Sequence, residues 1–149
     1  MRCGRRHRVA ETNDIPAGFE RHFRQSPVTD PWEPLYSKRD GPAFVLGFVV
    51  AAPHCNSRGM LHGGVISALA DNAMGLACAF AMGDETRLLT VHLSVDFTGI
   101  AAIGSWVEVI ATPTKTGRTL CFATAQVSAN GEHVAQASAV FRTIQPKEA

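Results

Sequence analysis

The chain has 149 residues and a mass of 16.0 kDa, close to the commonest size of a single domain. With 46% apolar and 18% charged residues it is too apolar for a disordered protein. Its net charge of +1 argues against nucleic acid or an anionic membrane as a partner. Its four cysteines form no Cys-x-x-Cys pair, which argues against a zinc ribbon, a thioredoxin-type motif or a disulfide framework.

The N-terminal segment is basic, but it is not followed by the apolar run that a secretory signal needs. The most apolar stretch, residues 65–82, contains Ser67, Asp71 and Asn72 and is slightly short, so we read it as unsuited to a membrane span. We therefore expect a soluble cytoplasmic protein.

Residues 1–42 hold five of the eight prolines and show no regular period. We predict a flexible tail over 1–14, a short helix over 15–25 and a loop that continues to residue 42. Three apolar side chains are expected to anchor this loop: Trp32, Leu35 and Tyr36. We therefore divide the chain into an N-terminal extension (1–42) and a main domain (43–149).

The main domain has regular patterns from its first residue. The predicted elements are a strand at 43–51, a helix at 63–82, and strands at 88–97, 105–115, 119–129 and 133–143. Short turns at 116–118 and at Asn130-Gly131 predict hairpins between the last three strands. The strand at 88–97 alternates strictly, which places Leu89 and Val91 on one face and Thr90 and His92 on the other, where exposure to solvent is the simplest reading.

This order predicts an α+β fold, in which one long helix packs against a curved antiparallel sheet of five to six strands. The helix is apolar almost all round, so the sheet alone would not cover it. A second subunit could close the remainder, which predicts a homo-oligomer, most simply a symmetric dimer.

The sequence His62-Gly63-Gly64 lies where loop becomes helix. The first turn of a helix has unpaired N–H donors and a partial positive charge, so it can hold a polarised carbonyl oxygen. Alternatively, the two glycines only allow the chain to turn tightly into the helix.

Asp71 lies in the third turn of the predicted helix, among apolar neighbours. Burying a carboxylate lowers the stability of a protein unless the group has a hydrogen-bonding partner or a catalytic role. Ser67, four residues earlier, lies on the same face of the helix. Asp71 is therefore a candidate catalytic group, or else a polar residue at a hydrated subunit interface. Asn56 is by itself a turn former. The histidines and acids have no usual metal-ligand spacing, so we predict no metal.

Taken together, Asn56, the His-Gly-Gly block at 62–64, Asp71 and the following four strands resemble the hotdog-fold acyl-CoA thioesterases of the PaaI-like (phenylacetate-pathway) type. The resemblance covers residues 43–143. It implies a homodimer, often paired into a tetramer, with active sites between two subunits. It also implies hydrolysis of acyl-CoA to a free acid and coenzyme A without a cofactor.

The resemblance assigns roles by motif position. Asp71 would be the general base or nucleophile, and the Gly63 N–H would polarise the thioester carbonyl. Asn56 would help hold that carbonyl or the attacking water, and Thr90 would orient the water beside Asp71. His62 and Gly64 would contribute to substrate binding, with His62 supporting the loop and taking no part in the chemistry. Arg118 matches a basic position near the coenzyme A nucleotide, although plain surface charge is an equal alternative.

Two other functions stay open. One is a non-catalytic acyl-CoA-binding module of the same fold. The other is a hotdog hydratase, although Asp84 and His92 lie in the wrong context for its catalytic pair. The acyl specificity is not readable from the sequence. Phe80, Met74 and Leu89 are candidates for the acyl pocket, with ordinary core as the alternative for each.

Overall fold

A computed structural model describes residues 15–83 and 86–144. One helix packs against a seven-stranded sheet in which every strand pair is antiparallel. The strands are β1 (Glu20–Arg21), β2 (Tyr36–Asp40), β3 (Ala43–Val49), β4 (Arg87–Phe97), β5 (Trp106–Thr116), β6 (Leu120–Ala129) and β7 (Glu132–Ile144), and the helix is α1 (Gly63–Met82). The prediction of one long helix on an antiparallel sheet is confirmed, with seven strands instead of five to six.

The extra strands come from the N-terminal extension. The sheet order is β1-β2-β3-β5-β6-β7-β4, so β1 and β2 extend the sheet beyond β3. The predicted helix at 15–25 is wrong, because a turn with Gly18 at a φ of 88° precedes a two-residue strand. Phe19 and Phe23 have helical spacing, but they pack separately, against Trp106 and Phe44. The predicted tail at 1–14 lies outside the described residues.

The helix α1 has the predicted bounds, and a specific residue at each end accounts for where it begins and ends. His62 caps the N-terminus with its side chain, and Gly83, at a φ of 97°, follows the last turn. The helix packs most extensively against β5 and β6, whose buried residues are all valine, alanine or cysteine. With 20 residues and a hydropathy of 1.6, α1 reaches the range of a membrane span, contrary to our reading of 65–82. Half of that window is buried within this fold, as in the core helix of a globular domain.

Strand β4 forms one edge of the sheet and contains a β-bulge at Val91. Thr90 pairs with the buried Phe141, and His92 pairs with Val140 on the opposite face of β7. Val91 is therefore an extra residue, and the alternation changes phase there. The prediction of strict alternation is wrong: Thr90 faces the helix, while His92 faces outward.

A buried histidine ties the extension to the loop before α1. His54 Nδ1 accepts a hydrogen bond from the Ala51 N–H at 2.9 Å, and Nε2 lies 2.9 Å from the Trp32 carbonyl oxygen. Burial lowers the pKa of His54. Leu35 and Tyr36 are buried and Trp32 packs against the core, so the expected anchors are packed.

Candidate active site

The start of α1 presents one free backbone donor. His62 Nδ1 accepts the Gly64 N–H at 2.8 Å, and the His62 carbonyl accepts the N–H groups of Val65 and Ile66. Among the hydrogen bonds of the described residues, none uses the Gly63 N–H. The Phe97 ring lies beside Gly63, where an added Cβ would come within 3.0 Å of it. Gly63 therefore presents an unpaired N–H, whereas the Gly64 N–H is already used.

Asn56 shapes the loop before this helix. Its Oδ1 accepts hydrogen bonds from the N–H groups of Arg58 (2.9 Å) and Met60 (3.2 Å). Its own N–H donates to the Met60 carbonyl at 2.8 Å. Asn56 is thus the turn former that its residue type suggested, and its side-chain NH₂ enters none of the hydrogen bonds found among the described residues.

The side chains of Asp71 and Thr90 meet between α1 and β4. Thr90 Oγ1 donates to Asp71 Oδ1 at 2.8 Å, and Asp71 is half-buried. Ser67, the partner considered from the sequence, bonds instead to the Gly63 carbonyl at 2.8 Å. Within residues 15–83 and 86–144 the single ion pair joins Arg21 to Glu33, so no cation there pairs with Asp71. One oxygen of the carboxylate is oriented by Thr90, and the other is available to a ligand.

The predicted site residues form two groups in one chain. Asn56, His62, Gly63 and Gly64 lie at the start of α1, and Asp71 with Thr90 lies about 12 Å further along the helix axis. Arg118 belongs to neither group. It is exposed on the β5–β6 hairpin, near the end of the helix, where the Cys121 and Met82 sulfur atoms are 2.9 Å apart.

The proposed acyl-pocket residues are placed elsewhere. Met74 is fully buried in the core, and Leu89 is 54% exposed on the outer sheet face. Phe80 stacks with Phe44 and lies beneath the Arg39 guanidinium. The described part of the chain holds no cluster of three or more His, Cys, Asp or Glu side chains that could bind a metal.

Two features of this region were not predicted from the sequence. The bulge at Val91 turns Thr90 toward Asp71, and Phe97 covers Gly63. Neither has a local signal, since a bulge depends on the register between β4 and β7. The apolar character of Phe97 was visible, but its contact follows only from the packing of β4 against the helix start.

Comparisons with known proteins agree with this architecture. A sequence profile of the thioesterase superfamily matches residues 58–136, more than half of the chain. A Pseudomonas aeruginosa protein named as a candidate esterase is 37% identical over 129 residues, which is 86% of this chain and 96% of that protein.

Two solved structures share the fold. A mutant of the phenylacetic acid degradation protein PaaI from Thermus thermophilus has a TM-score of 0.70 and 22% identity, over 80% of this chain and all of that one. A Streptococcus pneumoniae thioesterase protein solved with coenzyme A has a TM-score of 0.69 and 21% identity, over 78% of this chain and 94% of that one. The chain therefore belongs to the thioesterase superfamily and has the hotdog fold of the PaaI-like thioesterases.

Proposed function

We propose that this protein hydrolyses acyl-CoA thioesters to a free carboxylic acid and coenzyme A, with Asp71 as the catalytic carboxylate. The observation that carries the proposal is the half-buried Asp71, which is oriented by Thr90 at 2.8 Å and has no neighbouring cation in the described structure. Membership of the superfamily and the esterase relative support ester or thioester hydrolysis. The coenzyme A in the Streptococcus pneumoniae protein supports a CoA thioester as the substrate.

The chemistry needs one base and one donor. A water molecule held by the free oxygen of Asp71 loses its proton to the carboxylate as it attacks the thioester carbon. The negative charge that develops on the carbonyl oxygen is stabilised by the unpaired Gly63 N–H and the positive end of the helix dipole. The coenzyme A thiolate is a good leaving group, so this pair of groups suffices without a nucleophilic triad.

The separation of the two groups favours a site built from two subunits. Within one chain, Gly63 and Asp71 are about 12 Å apart along α1, too far for both to contact one thioester carbonyl. A symmetric dimer places Asp71 and Thr90 of one subunit beside the partner subunit's Gly63 and Asn56.

Strand β4 is the surface through which this dimer would form. It is an 11-residue edge strand with three exposed apolar side chains, which is the kind of edge that pairs with another chain. These are Leu89, Val91 and Phe97, each more than half exposed. Antiparallel pairing of two β4 strands would cover them.

The bulge sets the register of this pairing. The two-fold axis passes through Ser94, so that Ser94 pairs with its own copy, and Val91 is left unpaired. Thr90 then lies opposite the partner subunit's Phe97, and each residue that faces the helix is paired with another that does so. Phe97 lies against Gly63, so this register brings Asp71 near the partner subunit's Gly63. The same pairing is antiparallel, so it brings the Arg118 end of one subunit toward the helix start of the other, where Arg118 would meet the coenzyme A phosphates.

A second pairing of dimers has a candidate surface. The outer sheet face carries four apolar side chains that are between 37% and 46% exposed: Ile110, Leu120, Phe122 and Ile144. We propose that two dimers meet through this face to form a tetramer. The protein needs no cofactor in this mechanism, since coenzyme A is part of the substrate.

The test is thiol release from a panel of short-, medium- and long-chain and aromatic acyl-CoAs. Wild type is expected to hydrolyse members of the panel, and Asp71→Ala is expected to lose about 10²-fold or more in kcat. Asp40→Ala, an exposed carboxylate at the far edge of the sheet, is the matched control and should keep wild-type activity. If wild type binds acyl-CoA but does not hydrolyse it, the protein is a non-catalytic acyl-CoA-binding module and not a thioesterase.

A further inference from the structure

Gly75 is a glycine in the middle of α1 that the packing of the chain does not require. A Cβ at this position would meet the Phe141 ring at 3.5 and 3.7 Å, which is ordinary van der Waals contact. Gly47 is different, because a Cβ there would overlap the Trp106 ring. A helix-interior glycine destabilises a protein relative to alanine, so a glycine without a steric reason suggests that the space above it has another use.

Gly75 lies next to the proposed catalytic pair. It is half-buried, one helical turn after Asp71, on nearly the same face of α1. The ring beside it belongs to Phe141, which is the cross-strand partner of Thr90. Gly75 and the Phe141 ring therefore lie directly after the Asp71–Thr90 hydrogen bond along the helix.

The two sides of Asp71 along this face differ in polarity. Toward the helix start, the nearest side chain on the face is Ser67, with its hydroxyl on the Gly63 carbonyl. Toward the helix end lie Gly75, the Phe141 ring and Leu88, the inward-facing residue of β4 that precedes Thr90. An apolar acyl chain with its carbonyl at Asp71 is therefore expected to extend toward Gly75.

We propose that Gly75 is a specificity-determining residue, which leaves room for acyl groups that extend along α1 against Phe141. The inference rests on the proposed thioesterase function and adds the size of the acyl group to it. The Cα atoms of Asp71 and Gly75 are separated by about 6 Å along the helix, which an extended alkyl chain spans with about five carbon–carbon bonds. Acyl groups of two or three carbons end before Gly75, whereas hexanoyl and phenylacetyl groups reach it.

The experiment compares Gly75→Ala and Gly75→Val with wild type on acetyl-, propionyl-, hexanoyl- and phenylacetyl-CoA. Wild type is expected to hydrolyse the two larger substrates. For these, kcat/KM is expected to fall by at least about tenfold in Gly75→Ala and further in Gly75→Val, while acetyl- and propionyl-CoA change less than about twofold. Ala81→Val, on an exposed position of the same helix, should leave all four substrates unaffected.

The melting temperature of Gly75→Ala provides a second readout. It should stay equal to that of wild type or rise, because alanine suits a helix better and its methyl group has room beside Phe141. A lowered melting temperature would show that the fold itself needs the glycine, and would overturn the inference.

The kinetic outcomes separate the two proposals. If wild type hydrolyses acyl-CoAs but Gly75→Ala affects short and long substrates equally or not at all, the inference about Gly75 fails alone. The same holds if wild type accepts only the two- and three-carbon substrates. If wild type hydrolyses none of the four, the proposed function fails and the inference fails with it.

Discussion

Thr90 Oγ1 donates a 2.8 Å hydrogen bond to Asp71 Oδ1, and this contact depends on the β-bulge that leaves Val91 without a partner in β7. Leu93 and Val95 face the helix. If the strand alternated strictly from them back through Val91, Val91 would face the helix too, and Thr90 would lie on the outer face of the sheet with His92. The bulge lets the second half of β4 bury apolar residues while its first half directs a hydroxyl group at the helix.

Deletion of Val91 should remove the bulge without turning Thr90. Thr90 and His92 pair with Phe141 and Val140, which are neighbours in β7, so without Val91 they follow each other in regular alternation and Thr90 still faces the helix. The deletion variant should therefore keep most of its thioesterase activity, as should Thr90→Ser, whereas Thr90→Ala should lose about tenfold or more. Circular dichroism and steady-state kinetics on the three variants check this, and a deletion variant that folds but is as inactive as Thr90→Ala would show that the extra residue itself positions Thr90.

Replacement of Gly63 by proline tests the unpaired N–H with little change to the helix. Proline is well tolerated at the first helical position, and His62 has a φ of −72° and a ψ of 134°, which suit a residue before proline. Gly63→Pro lacks the donor, so we expect kcat to fall by about 10²–10³-fold.

Gly63→Ala is the matched control, because it adds a Cβ near Phe97 but keeps the N–H. It should keep much more activity than Gly63→Pro, since the added Cβ requires the Phe97 ring to shift by only a few tenths of an ångström. Equal losses in the two variants would point to crowding of Phe97 as the cause and away from the lost donor.

Gly47 is required by packing, in contrast to Gly75. Its missing side chain makes room for the Trp106 ring, which is held by a 2.8 Å hydrogen bond to Glu108 and by an edge contact with Phe19. Gly47→Ala should lower the free energy of unfolding by about 1–3 kcal/mol, the usual cost of overpacking. Denaturant unfolding checks this, with Gly75→Ala expected to change stability by about +0.5 to +1 kcal/mol. If Gly47→Ala has the same free energy of unfolding as wild type, the Trp106 ring can move aside without loss of stability.

The stability of the fold should depend on two buried histidines. Burial lowers the pKa values of His54 and His22 below the ordinary value of 6.5. As the pH falls below about 6.5, the unfolded chain takes up protons that the folded chain does not, so the free energy of unfolding decreases until the pH reaches the folded pKa values. The melting temperature should thus be lower at pH 5.5 than at pH 7.5.

Substitution of each histidine tests whether it causes this pH dependence. His54→Gln should be less stable than wild type at pH 7.5, because the contacts to Ala51 and Trp32 are disturbed, and its melting temperature should vary less with pH. His22→Asn should behave in the same way, since its ring contacts Ser37. An unchanged pH dependence in both variants would assign the effect to other groups.

The sequence predicted the parts of this fold that depend on local patterns. The helix at 63–82 was recognisable as an apolar stretch that follows His62-Gly63-Gly64, and each main-domain strand lay within two residues of its predicted bounds. The N-terminal strands could not be predicted in this way, because β1 and β2 form only by pairing with distant residues. The apolar spacing of Phe19 and Phe23 therefore suggested a helix that does not form.

The candidate site was predictable to a similar degree. Asp71 and the glycines at 63 and 64 were recognisable from the motif, and their separation along one helix follows from the rise per residue. The orientation of Thr90 was not predictable, since it depends on the register of β4 with β7. The use of the Gly64 N–H by His62 required the conformation of the cap.

In the proposed dimer, Asp71 of one subunit and Gly63 of the other act on the same thioester. The most direct test refolds or co-expresses the two inactive variants Asp71→Ala and Gly63→Pro in equal amounts and measures thiol release. Random pairing makes half of the dimers mixed, and each mixed dimer contains one intact site, so about a quarter of the wild-type activity should return. If both variants are inactive alone and the mixture is inactive as well, the two residues do not share a site across the subunits.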